Sequence, residues 1–477
     1  MTDLERTEST STYNPKFIGL FILVLFLCSG MTGLLYEVIW SRMIVKVIGA
    51  APFAISIVLT VFMGGLGLGS YLAGRYIDRI QKSSQLIQLY GLMEIGIGIY
   101  ALLLGGVIEA SQPIFSSIYN QSTDHLLIFN AVILIGAFVL FIIPVTLMGA
   151  TLPILIRFYV ANLGHLGARV GRLYAINTIG AAVGSILSGF FLIKLWGVDG
   201  TLRFAVVVNF MIGGISFVLA NWVAKRTALA EVVSARQRGS SPQNKDEFQY
   251  SRSHQIAALV IFAISGYAAM AYEVIWTRLL GLIIGPTTYS FTIVLTTFIV
   301  GLALGAMFFG WLADRSKHPF RLLLITQTCA AILALLVSQF LGNSQFFFAK
   351  LIFSFRDNFV MLSFAKALLL FVILLGPTIA LGATFPLVGK IYTSSIRKLG
   401  KSIGFAYAIN TIGALLGAFS AGFILIPLLG KENSLSLVIA IQLLTVLAVV
   451  GLLYPKGEKS RIRLILLGTG ILGLLLT

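Results

Sequence analysis

Residues 29–79 read SGMTGLLYEVIWSRMIVKVIGAAPFAISIVLTVFMGGLGLGSYLAGRYIDR, and residues 265–315 read SGYAAMAYEVIWTRLLGLIIGPTTYSFTIVLTTFIVGLALGAMFFGWLADR. At an offset of 236, Tyr36-Glu37-Val38-Ile39-Trp40 falls on Tyr272-Glu273-Val274-Ile275-Trp276, Arg42 on Arg278, and Asp78-Arg79 on Asp314-Arg315. A second pair follows at an offset of 233: MGATLP (148–153) with LGATFP (381–386), and YAINTIGAAVG (174–184) with YAINTIGALLG (407–417). Long blocks repeated in the same order imply two structurally equivalent halves, each far longer than a solenoid unit.

Working outward, the chain is 58% hydrophobic and 11% charged over 477 residues, with a mean hydropathy of +0.97. Soluble domains average about 25% charged residues. Repeated continuous apolar runs of membrane-spanning length point to a polytopic helical protein and exclude a β-barrel, whose strands alternate. The net charge of +17 belongs to membrane-flanking loops rather than to a nucleic-acid surface. Cys28 and Cys329 sit in apolar runs and read as packing residues; no metal and no cofactor is expected.

Apolar runs predict helices at roughly 17–40, 52–75, 85–108, 126–158, 169–195 and 201–224, then 255–278, 287–312, 320–341, 359–392, 402–427 and 433–454. The expected organisation is a tail (1–16), a six-helix half (17–224), a charged Ser/Gln-rich linker (225–254), a second six-helix half (255–454), and a basic loop with a short apolar segment (455–477). Six helices per repeat bring both halves in from the same side, a parallel repeat about an axis along the membrane normal. With the N-terminus and the even-numbered connections taken as cytoplasmic, 25 of the 34 Lys and Arg lie there and 8 on the other side; Lys366, inside a predicted helix, is the remainder. No cleavable signal is expected, because residues 1–16 are polar and the first apolar run is long enough to span.

Pro144 with Pro153, and Pro377 with Pro386, predict bends at corresponding places in the fourth and tenth helices. GGLGLG (64–69) and the pairs Gly180/Gly184 and Gly413/Gly417 read as close helix contacts, not as a phosphate cradle.

Two resemblances rest on these residues. GRYIDR (74–79) and GWLADR (310–315) resemble the Gly-x-x-x-Asp-Arg loop signature of the major facilitator superfamily. That resemblance implies a conformational gating role for Asp78, Arg79, Asp314 and Arg315; helix caps and positive-inside anchors would leave the same residues. The longer pattern, YEVIW(S/T)R with GLGLG, GATLP and YAINTIG, resembles the membrane region of bacterial fused facilitator/spermidine synthase proteins. The aminopropyltransferase domain that such proteins append has no counterpart in this sequence. There is no soluble stretch long enough and no Rossmann-like glycine-rich turn, so no enzyme activity is expected.

The candidate substrate or proton residues are Glu37, Glu273, Glu94, Asn177, Asn410 and Lys366. A carboxylate in an apolar run is costly unless paired or hydrated. Two readings stand for the YEVIW pair. Tyr36, Trp40, Arg42, Tyr272, Trp276 and Arg278 could anchor helix ends at the interface, with local Glu–Arg ion pairs; or Glu37 and Glu273 could face a central cavity as a pseudo-symmetric cation or proton site. Glu94, with Gln327 as its counterpart, is either a proton relay or a helix-to-helix hydrogen bond. Asn177 and Asn410 are either helix-bridging or substrate-contacting, and Lys366 either snorkels or pairs with a glutamate. The expected function is a secondary carrier working by alternating access, of unknown substrate, proton-coupled through Glu94 or the Glu37/Glu273 pair, with a polyamine or other organic cation suggested by the resemblance. The alternative is a non-transporting membrane subunit that scaffolds a partner complex or a separately encoded synthase. The lipid bilayer is the expected surrounding, in a bacterial inner membrane with the N-terminus cytoplasmic.

Overall fold

A computed structural model describes residues 15–48, 51–121, 126–160, 163–234, 250–284 and 288–453, together with 468, 469, 471 and 473. The first half contains α1 (Pro15–Ile48), α2 (Ala51–Ile77), α3 (Ser83–Gln121), α4 (Leu126–Tyr159), α5 (Leu166–Ile186) and α6 (Ile193–Ser234). The second contains α7 (Arg252–Ile284), α8 (Thr288–Arg315), α9 (Pro319–Asn343), α10 (Gln345–Ser354), α11 (Phe359–Gly382), α12 (Thr384–Tyr392), α13 (Leu399–Ser420) and α14 (Ile426–Leu453). Among the described residues there is no strand. This fits backbone that must satisfy its own hydrogen bonds away from water.

Among the described residues, ten helical stretches are apolar and long enough to cross a membrane, but Leu166–Lys225 and Ile396–Leu453 run for 60 and 58 residues. At about 1.5 Å per residue each would be nearly three times the ~30 Å hydrocarbon thickness. Each is broken by a glycine in the left-handed region, Gly197 (φ 69°) and Gly430 (φ 77°), so each is two crossings joined by a tight turn and the described residues make twelve crossings. A Cβ would meet nothing within 4 Å at either glycine, so only the backbone conformation resists substitution. Gly197→Ala and Gly430→Ala are each expected to lower stability by about 1–2 kcal/mol, read as a modest drop in the thermal unfolding midpoint in detergent.

The internal repeat holds at the level of backbone detail. A π-helical turn at Leu187–Leu192 ends the fifth crossing, and one at Ala421–Leu425 recurs in its counterpart. The symmetry breaks at two places. The fourth crossing is one continuous helix through Pro144 and Pro153, whereas its counterpart is interrupted at Ala383 between α11 and α12. The short helix α10 has no predicted equivalent. The expected linker also starts late, because α6 stays helical to Ser234. Residues 235–249 and most of the short apolar segment at 464–477 lie outside the described residues.

Within each half, the first crossing packs on the fifth through glycines. A Cβ on Gly180 or Gly184 would run into the carbonyls of Leu27 and Met31 on α1, and one on Gly413 or Gly417 into those of Ala263 and Tyr267 on α7. The GGLGLG run likewise sets α2 against α4 (Gly65 on Val145, Gly69 on the Thr146 carbonyl) and against α13 (Gly67 on Thr411). Two seams join the halves: α2 against α13 and α5 against α8. Both seams are packed towards either end of the bundle. At one end Gly74 meets Gly400 and Gly404, while Gly167 and Gly171 meet Gly310; at the other, Gly422 meets Ser56 and Gly189 meets Thr292.

Candidate functional site

A cavity of about 200 Å³ lies between the halves, bounded by α1, α2, α5, α7, α8, α11, α12 and α13. That is room for roughly seven waters at ~30 Å³ each, or for a small organic molecule. Glu37 from α1, Glu273 from α7, Asn177 from α5 and Asn410 from α13 all line it, so four of the six sequence candidates come together. The rest of the lining is mostly apolar and aromatic, including Tyr174, Phe262, Phe385 and Tyr407. Asn410 Nδ2 donates to the Phe262 carbonyl (2.8 Å), and Asn177 packs on Gly30 of α1. Asn410 thus bridges α13 to α7 while lining the cavity, and Asn177 lines the cavity where α5 packs on α1. Glu273 is buried and Glu37 half-buried, and among the described residues neither carboxylate has a hydrogen-bond or ion-pair partner. A carboxyl group facing apolar walls either stays neutral by holding a proton or is ionised beside a bound cation.

Glu94 lies elsewhere, fully buried within the first half. Ser29 Oγ on α1 donates to its Oε1 (2.5 Å), Asn209 Nδ2 on α6 donates to its Oε2 (2.9 Å), and Tyr36 OH donates to Asn209 Oδ1 (3.3 Å). The second half repeats the arrangement with amides. Gln442 Nε2 donates to Gln327 Oε1 (3.0 Å), Tyr272 OH to Gln442 Oε1 (2.8 Å), and Gln327 Nε2 to Thr384 Oγ1 (2.7 Å), with Ser265 Oγ 3.1 Å from the same hydroxyl.

Tyr36, Trp40, Tyr272 and Trp276 are each 0% exposed, which places them inside the halves and not at a lipid–water interface. Each tyrosine stacks on the tryptophan one turn later (ring centroids 5.3 and 5.2 Å apart), and Trp40 stacks in turn on Phe141 of α4 (5.0 Å). The interfacial reading fails because α1 and α7 continue well past the motif, to Ile48 and Ile284, and carry it into the protein interior. Arg42 and Arg278 are half-buried; Arg278 reaches the Gly422 carbonyl in the π-helical turn (3.5 Å). Lys366 is half-buried two turns into α11 and is not among the cavity residues.

The loop aspartates clasp the halves together. Asp78, after α2, accepts from the backbone N–H groups of Gly400 and Lys401 (both 2.9 Å) in the first turn of α13, and Arg157 Nε stands 3.4 Å away. Asp314, after α8, accepts from Gly167 and Ala168 (3.0 and 2.7 Å) in the first turn of α5, with Lys390 Nζ at 3.4 Å. Each carboxylate thus satisfies orphan donors at the positive end of a helix belonging to the opposite half. Lys390 also donates across the seam to the Leu163 carbonyl (2.7 Å). Arg79 and Arg315 stand outside these contacts, over the rings of Tyr76 (5.4 Å) and Trp311 (3.9 Å). Sequence reasoning missed Arg157 and Lys390, although they coincide at the same offset of 233 and are both basic.

Residues 21–418 match the family described as Major Facilitator Superfamily. No curated protein matches the chain. Among solved structures, a bacterial homologue of the iron transporter ferroportin in an outward-facing state aligns with a TM-score of 0.56 at 13% identity, over 91% of this chain and 98% of that one. The human organic anion transporter MFSD10 aligns with a TM-score of 0.55 at 11% identity, over 91% and 99%. The E. coli fucose:proton symporter aligns with a TM-score of 0.51 at 13% identity, over 91% and 98%. At these identities the structures speak to the fold, and the match over residues 21–418 speaks to the family: the chain belongs to the major facilitator superfamily.

Proposed function

We propose that the chain is a secondary carrier that moves a cationic substrate by alternating access, binding it between Glu37 and Glu273. The observation that carries this reading is the pair of pseudo-equivalent carboxylates facing one cavity without a protein cation on either, among the described residues. A bound cation supplies the missing charge, and rocking of one half against the other exposes the site to each side in turn. The solved neighbours include transporters of iron, of organic anions and of fucose, so they do not choose a substrate; the acidic cavity supports the cation. The YEVIW, GATLP and YAINTIG pattern favours the membrane region of the fused facilitator/spermidine synthase proteins as the nearer kin, with a diamine or polyamine as the first substrate class to test. Two carboxylates contributed by different halves to one cavity suit a molecule with an amine at each end. The lysine- and arginine-rich loops favour a bacterial cytoplasmic membrane with the clasped end inside.

The test is uptake into proteoliposomes of a labelled panel of monoamines, diamines, spermidine and divalent metal ions. At least one cation is expected to accumulate. Glu37→Gln and Glu273→Gln should each lose about 10- to 100-fold in apparent affinity, the equivalent of ~1.5–3 kcal/mol for a charge-assisted contact. Absence of uptake, together with a stoichiometric membrane partner on gentle purification, would favour the scaffold instead.

A further inference from the structure

The two halves carry buried polar networks at corresponding positions; in the second, the Thr384 hydroxyl stands between Ser265 and Gln327 where Ser29 meets Glu94 directly, and an amide stands in place of the carboxyl group. Ser29, Tyr36, Glu94 and Asn209 correspond to Ser265, Tyr272, Gln327 and Gln442 at the repeat offsets. In the second half an amide at position 327 holds the network with no carboxyl group, so the architecture does not require a carboxylate there. Glu94 therefore puts an acid where an amide suffices for packing. We propose that Glu94 is a proton-binding site of the carrier, separate from the cavity, whose occupancy is relayed through Ser29 to α1 and the cavity wall. The inference rests on the carrier reading for its purpose, and its test does not depend on knowing the substrate.

The chemistry lies in the direction of one hydrogen bond. With Glu94 ionised, Ser29 Oγ–H donates to Oε1 across 2.5 Å and Asn209 donates to Oε2. Asn209 Nδ2 is a fixed donor, and its Oδ1 already accepts from Tyr36 OH. When a proton binds at Oε1, that bond reverses: Glu94 donates, Ser29 Oγ accepts, and the serine hydrogen turns to another acceptor on α1. Gly30, the next residue, lies against the backbone and Oδ1 of Asn177, a cavity-lining residue on α5. A change at Ser29 is thus one residue from the contact that sets α1 against α5. The amides at Gln327 and Gln442 have fixed donors and acceptors and undergo no such reversal.

The titratable groups around Glu94 are Cys28 and Tyr36 on α1 and Tyr90 on α3, whose hydroxyl also donates to the Leu25 carbonyl (3.3 Å). The α6 helix faces it with the neutral Asn209, and α4 meets α3 through Leu147 on Gly96. No ion pair involves Glu94 among the described residues, so a proton is the ligand that neutralises it.

The full chain, with Cys28 and Cys329 replaced by serine, is reconstituted and spin-labelled at Lys82→Cys and Arg397→Cys, one on each half at the clasped end. Infrared difference spectra and label distances are then recorded across a pH series. The expected result is a protonated-carboxyl band that disappears in Glu94→Gln and survives in the Glu37→Gln/Glu273→Gln double variant. A pH-dependent distance change should be flattened at least fivefold by Glu94→Gln. Gln327 shows that an amide fits the site, so Glu94→Gln is expected to unfold at the wild-type temperature. Should it fail to fold, Ser29→Ala provides the second reading, as a shift in the midpoint of the same titration. A distance change that persists unaltered in Glu94→Gln, or a midpoint unmoved by Ser29→Ala, would overturn the proposal. Loss of cation uptake in the cavity double variant with the pH response intact separates failure of the cavity reading from failure of this one.

Discussion

Asp78→Ala combined with Asp314→Ala is expected to convert a chain that holds the clasped end shut into one that holds it mostly open. Each alanine removes two charge-assisted N–H bonds across a seam, and leaves the first-turn donors of α13 or α5 without their acceptor; the ion pair it also removes, Asp78 with Arg157 or Asp314 with Lys390, lies within one half. Hydrogen bonds to a charged group contribute roughly 1.5–3 kcal/mol each when well buried. The carboxylates are partly hydrated, with side chains 16% and 8% exposed, so the contribution of each clasp is discounted. At about 2–3 kcal/mol per site the pair approaches the ~5.5 kcal/mol that turns a 99:1 equilibrium into 1:99. The clasps sit on separate seams, so the single variants should each give about half the shift in free energy. Spin-label distances between Lys82→Cys and Arg397→Cys measure this directly. A distance distribution unchanged in the double variant would show that seam packing alone keeps the end closed. Arg79→Ala and Arg315→Ala should move it little, because both side chains lie over aromatic rings outside the clasp.

The largest effect on stability is expected from Gly180→Leu or Gly413→Leu. At these positions the added carbon meets a backbone carbonyl of the neighbouring helix, Leu27 on α1 or Ala263 on α7, and not a side chain that can turn away. Helix association in a bilayer depends on such close approach. Separating the helices also loosens the contact that carries Asn177 or Asn410 into the cavity wall. A cost of about 3 kcal/mol or more follows from overpacking. It should be read as loss of monodisperse protein in detergent or a large fall in unfolding temperature. Gly33→Ala on α1 is the matched control, since a Cβ there meets nothing within 4 Å. It should be neutral, or stabilising by ~0.4–1 kcal/mol. Equal effects of Gly180→Leu and Gly33→Ala would remove the steric argument.

The fold was readable because hydrophobic runs and a fixed repeat offset are both periodic signals. Among the described residues each of the twelve expected crossings falls on helix, and GGLGLG, Gly180/Gly184 and Gly413/Gly417 are close contacts. Crossing ends were less legible. α1 continues past Trp40 to Ile48, and that extension puts YEVIW in the interior where an aromatic-plus-charge motif suggested an interface. The cavity quartet of Glu37, Glu273, Asn177 and Asn410 could be suspected from polar residues recurring in apolar helices. That the four share one space is a fact of tertiary packing which no spacing along the chain encodes. Arg157, Lys390 and the Ser29–Asn209 network went unread because each residue looks ordinary alone: a basic helix end, a serine, an amide. Overlaying the halves would have flagged them, since the same positions carry related groups on both sides.

The most direct measurement is calorimetric titration of the purified protein with a diamine, spermidine and a divalent metal ion, on the wild type and on the Glu37→Gln/Glu273→Gln double variant. The account predicts saturable binding of at least one of these cations near one per chain, weakened 100-fold or more when both carboxylates are neutralised. Binding that survives both substitutions at wild-type affinity, or a wild type that binds none of them, would contradict a cation site between the halves.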